Sequence, residues 1–257
     1  MKKMKTLVFY TEKGGAAKTA SSCQFAHALV KKEKSVMFID LDSQEGRAST
    51  LMKQLKTGIS AYKVLKGEVS DVDPVEGGGI TMIEGDRALR TLEAEAPNHN
   101  AFVANFRKFI DNCADKFDYC IIDCPPSADV RVKAALISAD FVVSPVKLAQ
   151  EHVLGIGPVL GLIELIRQKM NTKLVFLGLL VTQFEAKNIQ KQWFQVLAGK
   201  YAKLLIGTKI PNRAHIQEAQ QLGIWVGDIP KSAAKDTARE LTQVFDVLID
   251  KMENHNG

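Results

Sequence analysis

Two lysines, two glycines and a threonine near the start of the chain have the types and spacing of a phosphate-binding loop. Lys13 precedes Gly14 and Gly15, and Lys18 and Thr19 follow shortly after them. A glycine turn presents backbone N–H groups to an anion, the lysine after it adds a positive charge, and a neighbouring hydroxyl can ligate Mg²⁺. The pattern therefore predicts that a phosphate group binds here. The alternative is an ordinary Gly-Gly turn that is flanked by lysines.

The segments on either side of this turn provide the context that such a loop needs. Residues 7–10 form an apolar run that predicts a buried strand, and apolar residues recur at helical spacing over residues 21–30. A strand, a glycine turn and a helix in this order place the turn at the positive end of the helix. One residue departs from the standard pattern, because Ala17 stands where a glycine normally precedes the lysine.

Three carboxylates follow two further apolar runs. Residues 36–39 precede Asp40 and Asp42, and residues 119–122 precede Asp123. Carboxylates at the carboxyl ends of parallel strands point into the crevice in which α/β proteins bind their ligands. These residues are therefore candidates for metal binding and for water activation. Asp40 and Asp42 also fit a plainer interpretation, because aspartate is a preferred cap of a following helix.

These three motifs, in this order, resemble those of the ParA/MinD superfamily of deviant Walker A ATPases. The pattern is closest to small ParA-type partition proteins that lack an N-terminal helix-turn-helix domain, and the resemblance covers nearly the whole chain. Lys13 to Thr19 match the deviant Walker A loop, Asp40 to Gln44 match the second acidic motif, and Asp123 is followed by the Pro-Pro of the Walker B motif. The chain departs from the superfamily at Ala17, where glycine is usual, and at Ser43, where proline is usual.

The resemblance implies that ATP and Mg²⁺ bind to a homodimer that closes face to face around two ATP molecules. Lys13 would then reach the partner's nucleotide and, with Asp42, which would position the attacking water, would be catalytic. Mg²⁺ would be held by Thr19 and Asp123, with Asp40 supporting its shell. The residues that would contact the nucleotide, including two segments expected to line the adenine, are Lys13, Gly14, Gly15, Ala16, Ala17, Lys18, Thr19, Ala20, Thr182, Gln183, Pro211 and Asn212.

The apolar periodicity predicts a doubly wound α/β fold, with a mostly parallel sheet and helices on both faces, as in P-loop NTPases of the deviant Walker A type. The remaining expected strands are residues 80–83, 141–146 and 174–181, and helical patterns cover residues 46–66, 102–113, 155–170 and the C-terminal segment to about residue 252. The glycines at 77–79 favour a hairpin-like turn. No domain boundary is indicated, so residues 1–257 are predicted to form a single P-loop ATPase domain.

The composition is that of a globular protein with a mildly basic charge. Of 257 residues, 46% are hydrophobic and 25% are charged, and the net charge is +5. This charge permits contact with nucleic acid but does not require it. The four cysteines lack the paired spacing of a metal site, so they are predicted to be buried free thiols in a reducing compartment. Only Cys120 and Cys124 leave a metal alternative open.

Three further features exclude other branches of the superfamily. No signal peptide or membrane-length apolar run occurs, and the C-terminal helix carries Asp246, Asp250 and Glu253 instead of a basic cluster, so no membrane association is expected. A loop that begins at Lys13 leaves no room for a preceding helix-turn-helix domain. No cysteine follows Cys124, which argues against the iron–sulfur reductases that share the fold. The expected location is cytoplasmic and nucleoid-associated.

Basic residues in the second half of the chain are candidates for non-specific contact with DNA phosphates, as in related ParA proteins bound to ATP. The alternative is an ordinary solvated surface. The candidates are Lys187, Lys191, Lys200, Lys203, Arg213, Lys235 and Arg239. A dimer would double the number of phosphate contacts, which would make DNA binding depend on ATP.

The combined interpretation is a ParA-type ATPase that partitions or positions a plasmid, a chromosome or another large cargo, together with a ParB-like or cargo-adaptor partner. Ala17 adds a Cβ to the phosphate loop, and Ser43 is expected to loosen the turn that holds Asp42. Hydrolysis is therefore predicted to be slow and stimulated by the partner. The alternative function class is a nucleotide-gated dimer that does not hydrolyse ATP and acts as an adaptor or scaffold for another protein.

Overall fold

The central element of the fold is a sheet of eight parallel strands, described here from a computed structural model that covers residues 4–44, 48–52 and 55–255. The strands are β1 (Lys5–Phe9), β2 (Val36–Asp40), β3 (Lys56–Ser60), β4 (Ile80–Glu84), β5 (Tyr119–Asp123), β6 (Phe141–Lys147), β7 (Val175–Phe184) and β8 (Leu205–Pro211). Their order in the sheet is β3-β4-β2-β5-β1-β6-β7-β8. All pairings in the described residues are parallel, so the predicted fold class is confirmed.

Helices cover both faces of this sheet. They are α1 (Lys18–Val30), α2 (Ala48–Leu51), α3 (Ala61–Lys66), α4 (His99–Cys113), α5 (Val130–Ser138), α6 (Gln150–Leu154), α7 (Ile156–Lys169), α8 (Asn188–Tyr201), α9 (Ala214–Leu222) and α10 (Ser232–Glu253). Alternate strand residues point to opposite faces. Phe9 packs in a core with α1, α9 and α10, whereas Val8 packs with α3, α4, α5 and α7. The second face continues into a smaller cluster in which Leu197 of α8 packs against Leu179 and Val181.

The strand register places the carboxyl ends of β1, β2 and β5 side by side. In the parallel ladders, Phe9 of β1 is paired with Asp123 of β5, and Asp40 of β2 is paired with the same Asp123. After β1 the chain moves to one side of the sheet, and it crosses to the other side between β5 and β6. Ligands of doubly wound proteins bind outside the carboxyl ends of the strands at such a reversal of strand order. The three predicted motifs therefore meet at one place.

The predicted helix over residues 46–66 is wrong in its central part. The structure has the short helix α2, then strand β3, and only then helix α3. Thr57 and Ile59 are β-branched residues, which favour strands, and Gly58 between them has a φ of 79° that no right-handed helix accommodates. Residues 45–47, at the start of the predicted helix, and residues 53–54, after α2, lie outside the described residues.

Three other features differ from those expected. The glycines at 77–79 lie in the crossover between α3 and β4, and β4 pairs in parallel with both neighbours, so the predicted hairpin-like turn is wrong. The helix predicted over residues 155–170 is present as α7, and the short helix α6, which ends just before Gly155, was not predicted. Strand β7 is longer than predicted, and it includes Thr182 and Gln183 within its last residues.

The expectation of buried free thiols is confirmed, since Cys23, Cys113, Cys120 and Cys124 are all buried and unpaired. Within the described ranges, no cluster of three or more histidine, cysteine or acidic side chains is placed to hold a metal ion. The helices of those ranges include none that is both long enough and apolar enough to cross a membrane.

Candidate nucleotide site

A cavity of about 310 Å³ opens at the carboxyl ends of the central strands. Its size falls at the lower end of the range for small-molecule sites. One end is formed by the Lys13–Thr19 loop with Asp42 and Pro126, and the other end is formed by residues of β8, α9 and α10. The lining residues that the sequence predicted for this site are Lys13, Gly14, Gly15, Ala16, Ala17, Lys18, Thr19, Ala20, Asp42, Gln183, Pro211 and Asn212. Arg213, which was predicted to contact DNA, also lines the cavity.

The loop before α1 is held in shape mainly by its backbone. Gly15 has a φ of 81°, and Ala17, directly before α1, is left-handed with a φ of 52° and a ψ of 30°. The Ala17 carbonyl accepts hydrogen bonds from the Ser21 hydroxyl at 2.7 Å and the Ser21 N–H at 2.9 Å. From beneath, the hydroxyl of Thr182 donates to the Ala16 carbonyl at 2.9 Å. The free N–H groups at the start of α1 therefore face the cavity as an anion site.

Lys18 and Thr19 converge on one carboxylate beneath the loop. The ammonium of Lys18 lies 3.2 Å from Oδ1 of Asp123, and the hydroxyl of Thr19 lies 2.7 Å from Oδ2. Burial disfavours the charged amine, but the negative groups around it, with Asp123 foremost, outweigh that effect and raise the pKa of Lys18. A hydroxyl and a carboxylate are hard oxygen ligands, so this pair fits a Mg²⁺ ion bound next to phosphate groups.

Asp42 faces the same cavity from the loop after β2. One carboxylate oxygen of Asp42 accepts the N–H of Gln44 at 2.9 Å, which forms a tight turn of the kind that aspartate favours. The side chain of Asp42 is therefore presented at a fixed place opposite Lys18. A carboxylate in this position can accept a proton from a water molecule or hold it by a hydrogen bond.

Asp40 does not face the cavity but lies behind Asp42. Its Oδ1 accepts the N–H of Asp42 at 3.0 Å, and its Oδ2 accepts the N–H of Ser49 at 2.8 Å and the hydroxyl of the same serine. Burial, followed by the nearby charge of Asp123, raises the pKa of Asp40 to about 7. In this position Asp40 holds the Asp42 turn, and it could support a bound Mg²⁺ ion only indirectly, through the residues that it contacts.

Ser43, which was expected to loosen this turn, has hydrogen-bond partners from other parts of the chain. Ser43 is buried, and its hydroxyl accepts hydrogen bonds from Arg131 at 3.2 Å and from Arg90 at 3.3 Å. The sequence analysis missed both arginines, together with Ser49 and Gly85, which pack against the same turn. No local motif marks any of these four residues, because each lies on a different part of the chain from Ser43.

Lys13 lies exposed at the mouth of the cavity. Its side chain crosses Gly155, where a Cβ on the glycine would come within 2.9 Å of the Lys13 Cε atom. The glycine at the start of α7 thus makes room for the lysine. An exposed ammonium at the rim is free to reach a group outside its own cavity.

The far end of the cavity has an apolar wall and an amide-rich rim. Gln183, Pro211 and Asn212 line it as predicted for the adenine segment, whereas Thr182 is buried and supports the loop instead. The sequence analysis did not anticipate the contribution of α9 and α10. Their lining residues are Ile216, Gln217, Gln220, Leu241 and Phe245. These lining residues could be recognised only from the structure, in which β8 at the sheet edge brings α9 and α10 beside α1.

The seven basic candidates for DNA contact are exposed, and they form two groups on opposite faces of the sheet. Lys187, Lys191, Lys200 and Lys203 lie on or beside α8, whereas Arg213, Lys235 and Arg239 lie beside α9 and on α10. Three of the seven pair with acids: Lys187 with Glu185, Arg213 with Glu240 and Arg239 with Asp236. In the described ranges, no salt bridge occupies Lys191, Lys200, Lys203 or Lys235.

Comparison with known proteins places this geometry in a family. Residues 4–176 match the family described as an AAA domain. Protein IncC of Escherichia coli is 33% identical over 261 residues, which cover 97% of this chain and 70% of IncC. The chromosome-partitioning ATPase Soj of Thermus thermophilus is 27% identical, and the alignment covers 94% of this chain and 95% of Soj.

A solved structure shows the same fold. Cobyrinic acid a,c-diamide synthase of Mycobacterium smegmatis, with a bound ATP analogue and magnesium, has a TM-score of 0.78 at 23% identity. The match covers 98% of this chain and 96% of that protein. At this identity the likeness concerns the fold alone, since one fold hosts several functions. The family match over residues 4–176 and the matches to IncC and Soj assign the chain: it belongs to the AAA-domain family and to the ParA/MinD superfamily of partition ATPases.

Proposed function

We propose that this chain, acting as one ATPase domain, binds ATP with Mg²⁺, closes into a homodimer, binds DNA without sequence preference and drives partition of a large cargo. The observation that carries the proposal is the convergence of Lys18, Thr19 and Asp42 on a single cavity at the start of α1, with the buried Asp123 bonded to both Lys18 and Thr19. The partition role is supported by the relatives, one of which is a chromosome-partitioning ATPase.

In this proposal the phosphate end of the cavity binds the nucleotide through the chain's own positive groups. The N–H groups of the loop and the start of α1 donate to the phosphates, and the ammonium of Lys18 exchanges Asp123 for phosphate oxygens. Thr19 and Asp123 would hold Mg²⁺, which neutralises charge on the phosphates when it is bound. The carboxylate of Asp42, at the same end of the cavity, orients the attacking water.

The position of Lys13 supports a dimer that closes over the cavity. Its ammonium is exposed at the rim, away from the buried pair of Lys18 and Asp123. A positive charge delivered to the γ-phosphate by a second molecule would stabilise the transition state, and it would act only after two chains have met. Hydrolysis would therefore be slow in the monomer and would respond to a partner protein that stabilises the closed dimer.

The exposed lysines of α8 support non-specific DNA binding. Lys191 and Lys200 and, just after the helix, Lys203 are exposed and offer uncompensated charge to phosphates. The basic residues of α9 and α10 lie on the other face of the sheet, and two of them already pair with acids. We therefore assign the main DNA surface to the α8 group and a minor contribution to Lys235. A nucleoid-associated location in the cytoplasm follows from this assignment.

Retention of random-sequence DNA tests the proposal. The protein is passed over immobilised DNA with ATP, with ADP or without nucleotide, at fixed moderate salt. We expect retention only with ATP, and we expect Lys13→Ala to abolish it.

Changing Lys191, Lys200 and Lys203 together to Gln is expected to weaken retention by about 100-fold or more, since each lost phosphate contact lowers affinity. The matched double variant Lys235→Gln with Arg239→Gln is expected to weaken it much less. Equal retention in all three nucleotide states contradicts the proposal.

Ala17 favours one second candidate, a nucleotide-gated adaptor that has lost hydrolysis. Its left-handed backbone is strained for a residue with a Cβ, and the Cβ lies where phosphates approach. The same experiment separates the two functions when phosphate release is measured in parallel. DNA retention with ATP but without phosphate release, in the presence or absence of DNA, supports the adaptor.

A further inference from the structure

The turn that carries Asp42 is gripped on both sides by one buried arginine. Nη1 of Arg131 donates to the Leu41 carbonyl at 3.1 Å and to the Ser43 hydroxyl at 3.2 Å. These two acceptors belong to the residues immediately before and after Asp42. The guanidinium is therefore a bracket across the turn, and the side chain that it brackets is the one that faces the cavity.

Arg131 is itself fixed by the segment that follows Asp123. Its Nε donates to Oδ2 of Asp129 at 3.0 Å, and its Nη2 donates to the same oxygen. Asp129 also caps α5 by accepting the N–H of Arg131 at 3.0 Å, and it accepts the hydroxyl of Ser127 at 2.9 Å. Burial alone would raise the pKa of Asp129, but the hydrogen bonds and charge of Arg131 outweigh burial and lower it.

This arrangement links the two acidic motifs of the site. Asp123 ends β5 beneath Lys18 and Thr19, and six residues later Asp129 anchors Arg131, which reaches across to the Asp42 turn after β2. The Leu41 N–H also donates to the Asp123 carbonyl at 2.9 Å. A shift in either loop is thereby transmitted to the other through charge-assisted hydrogen bonds, which are stronger than neutral ones.

Ser43 explains why the turn needs the contact from Arg131, because it stands where the superfamily motif has proline. Proline would fix the backbone of the turn by its ring but could accept nothing from its side chain. Serine leaves the backbone free and supplies a hydroxyl acceptor instead. Arg90 adds contacts from the outer side: its Nε lies 3.3 Å from the same hydroxyl, and its Nη2 donates to the Ser43 carbonyl at 3.4 Å and to Oε1 of Gln44 at 3.0 Å.

We propose that Arg131 is a positioning residue for ATP hydrolysis, which holds Asp42 through Leu41 and Ser43 and replaces the rigidity of the missing proline. The inference rests on the proposed ATPase function of this cavity. Arg131 does not line the cavity and touches no substrate, so it acts only through the turn. It should therefore affect the rate of hydrolysis much more than the affinity for ATP.

Single-turnover phosphate release and ATP affinity, measured on the full chain with Mg²⁺, test this inference. We expect Arg131→Met to slow phosphate release by about 30- to 100-fold, the scale of a small misplacement of a catalytic group, with ATP affinity changed by less than about threefold. The key variant is the double change Arg131→Met with Ser43→Pro. The proline ring should restore the turn and recover at least about a third of the native rate, although it restores no contact of the arginine.

Two further variants provide a milder change of the same contact and a control. Ser43→Ala removes only the hydroxyl acceptor and should slow phosphate release by about three- to tenfold, a smaller effect because the Leu41 contact remains. It also reports on the bracket if Arg131→Met proves too unstable to purify. Arg167→Met is the matched control, since Arg167 makes a surface pair with Glu164 on α7 and should behave as the native chain does.

The outcomes separate the inference from the function on which it rests. If the native chain neither binds nor hydrolyses ATP, both are overturned. If the native chain hydrolyses ATP and Arg131→Met does so within about twofold of its rate, only the inference is overturned. Parallel loss of ATP affinity and rate, or a double variant that Ser43→Pro fails to rescue, assigns Arg131 a purely structural role and also overturns the inference.

Discussion

Two loops face the same cavity and are built by different means. The loop before α1 owes its shape to its own backbone, with left-handed residues at Gly15 and Ala17 and the start of a helix directly behind them. The loop after β2 owes its shape to side chains from elsewhere, chiefly Asp40 on its own strand, Ser49 on α2 and Arg131 on α5. One loop is a local structure, and the other is an assembled one.

This difference corresponds to a division of labour. Backbone N–H groups suit a ligand whose charge is large and constant, so the first loop fits phosphate binding. A carboxylate that must hold a water in one place needs its own supports, so the second loop fits the chemical step. Damage to the first loop should abolish binding, whereas damage to the second should leave binding intact and slow hydrolysis.

The largest effect is expected from Lys18→Met, which tests whether the first loop is needed for ATP binding. It leaves the fully buried Asp123 without its cation, and breaking a buried pair costs about 3–5 kcal/mol. ATP binding should be lost together with this stability. Urea unfolding and ATP titration measure both. Lys13→Met is the comparison variant, because its exposed side chain should change the free energy of unfolding by less than about 0.5 kcal/mol.

Acid should weaken the helix behind the first loop. Burial lowers the pKa of His27 on α1 from its ordinary 6.5 to about 4. Below pH 6.5 the unfolded chain therefore takes up a proton that the folded chain refuses, so stability is complete above that pH and falls between about pH 6.5 and 4, by up to about 3 kcal/mol. Unfolding across this range measures the slope. His27→Gln should flatten it, and an unchanged slope in that variant contradicts the assignment.

The second loop should be broken by Gly85→Ala without any change to the first. A Cβ at this position would lie 2.4 Å from the Asp42 carbonyl oxygen and 2.9 Å from the Asp40 carboxyl carbon. We expect overpacking to cost about 2 kcal/mol of stability and to slow phosphate release by about 100-fold while ATP still binds. Gly199→Ala on α8 has open space around it and serves as the control. Loss of ATP binding in Gly85→Ala would count against separate roles for the loops.

The smallest effect is expected from Ala17→Gly, which relieves the left-handed strain of the first loop. The gain in stability should be about 0.5–1 kcal/mol, because the greater freedom of glycine in the unfolded chain offsets part of the relief. Phosphate release should also rise, since the backbone can approach the nucleotide more closely. Ala28→Gly makes the same change in the right-handed part of α1 and should destabilise by about 1 kcal/mol or more. A destabilised Ala17→Gly contradicts the strain argument.

The sequence predicted the first loop well because most of what shapes it is local, and the hydroxyl of Thr182 beneath Ala16 is a support from a distant part of the chain. A strand, two glycines, Lys18 and a helix lie within one short stretch, and the structure places them as expected. The sequence also predicted that the carboxylates after β2 and β5 would lie at the same end of the sheet, because parallel strands bring their carboxyl ends together, and Asp40 is paired with Asp123 there.

The supports of the second loop could not be predicted in this way. Arg131 and Ser43 are 88 residues apart, and Ser49 and Gly85 are 36 residues apart with two strands, β3 and β4, between them. Strand β3 was missed for a related reason, since its pairing with β4 overrides the helical pattern around it. Ser43 was expected to loosen the turn because only its difference from proline is visible in the sequence, whereas its partners are visible only in the structure.

The most direct test of the division of labour compares Asp42→Ala with Lys18→Met in one assay of ATP affinity and single-turnover phosphate release. We predict that Asp42→Ala binds ATP within about threefold of the native chain and releases phosphate at least about 100-fold more slowly, whereas Lys18→Met does neither. The account is contradicted if Asp42→Ala loses ATP affinity as severely as Lys18→Met, or if it hydrolyses ATP at the native rate.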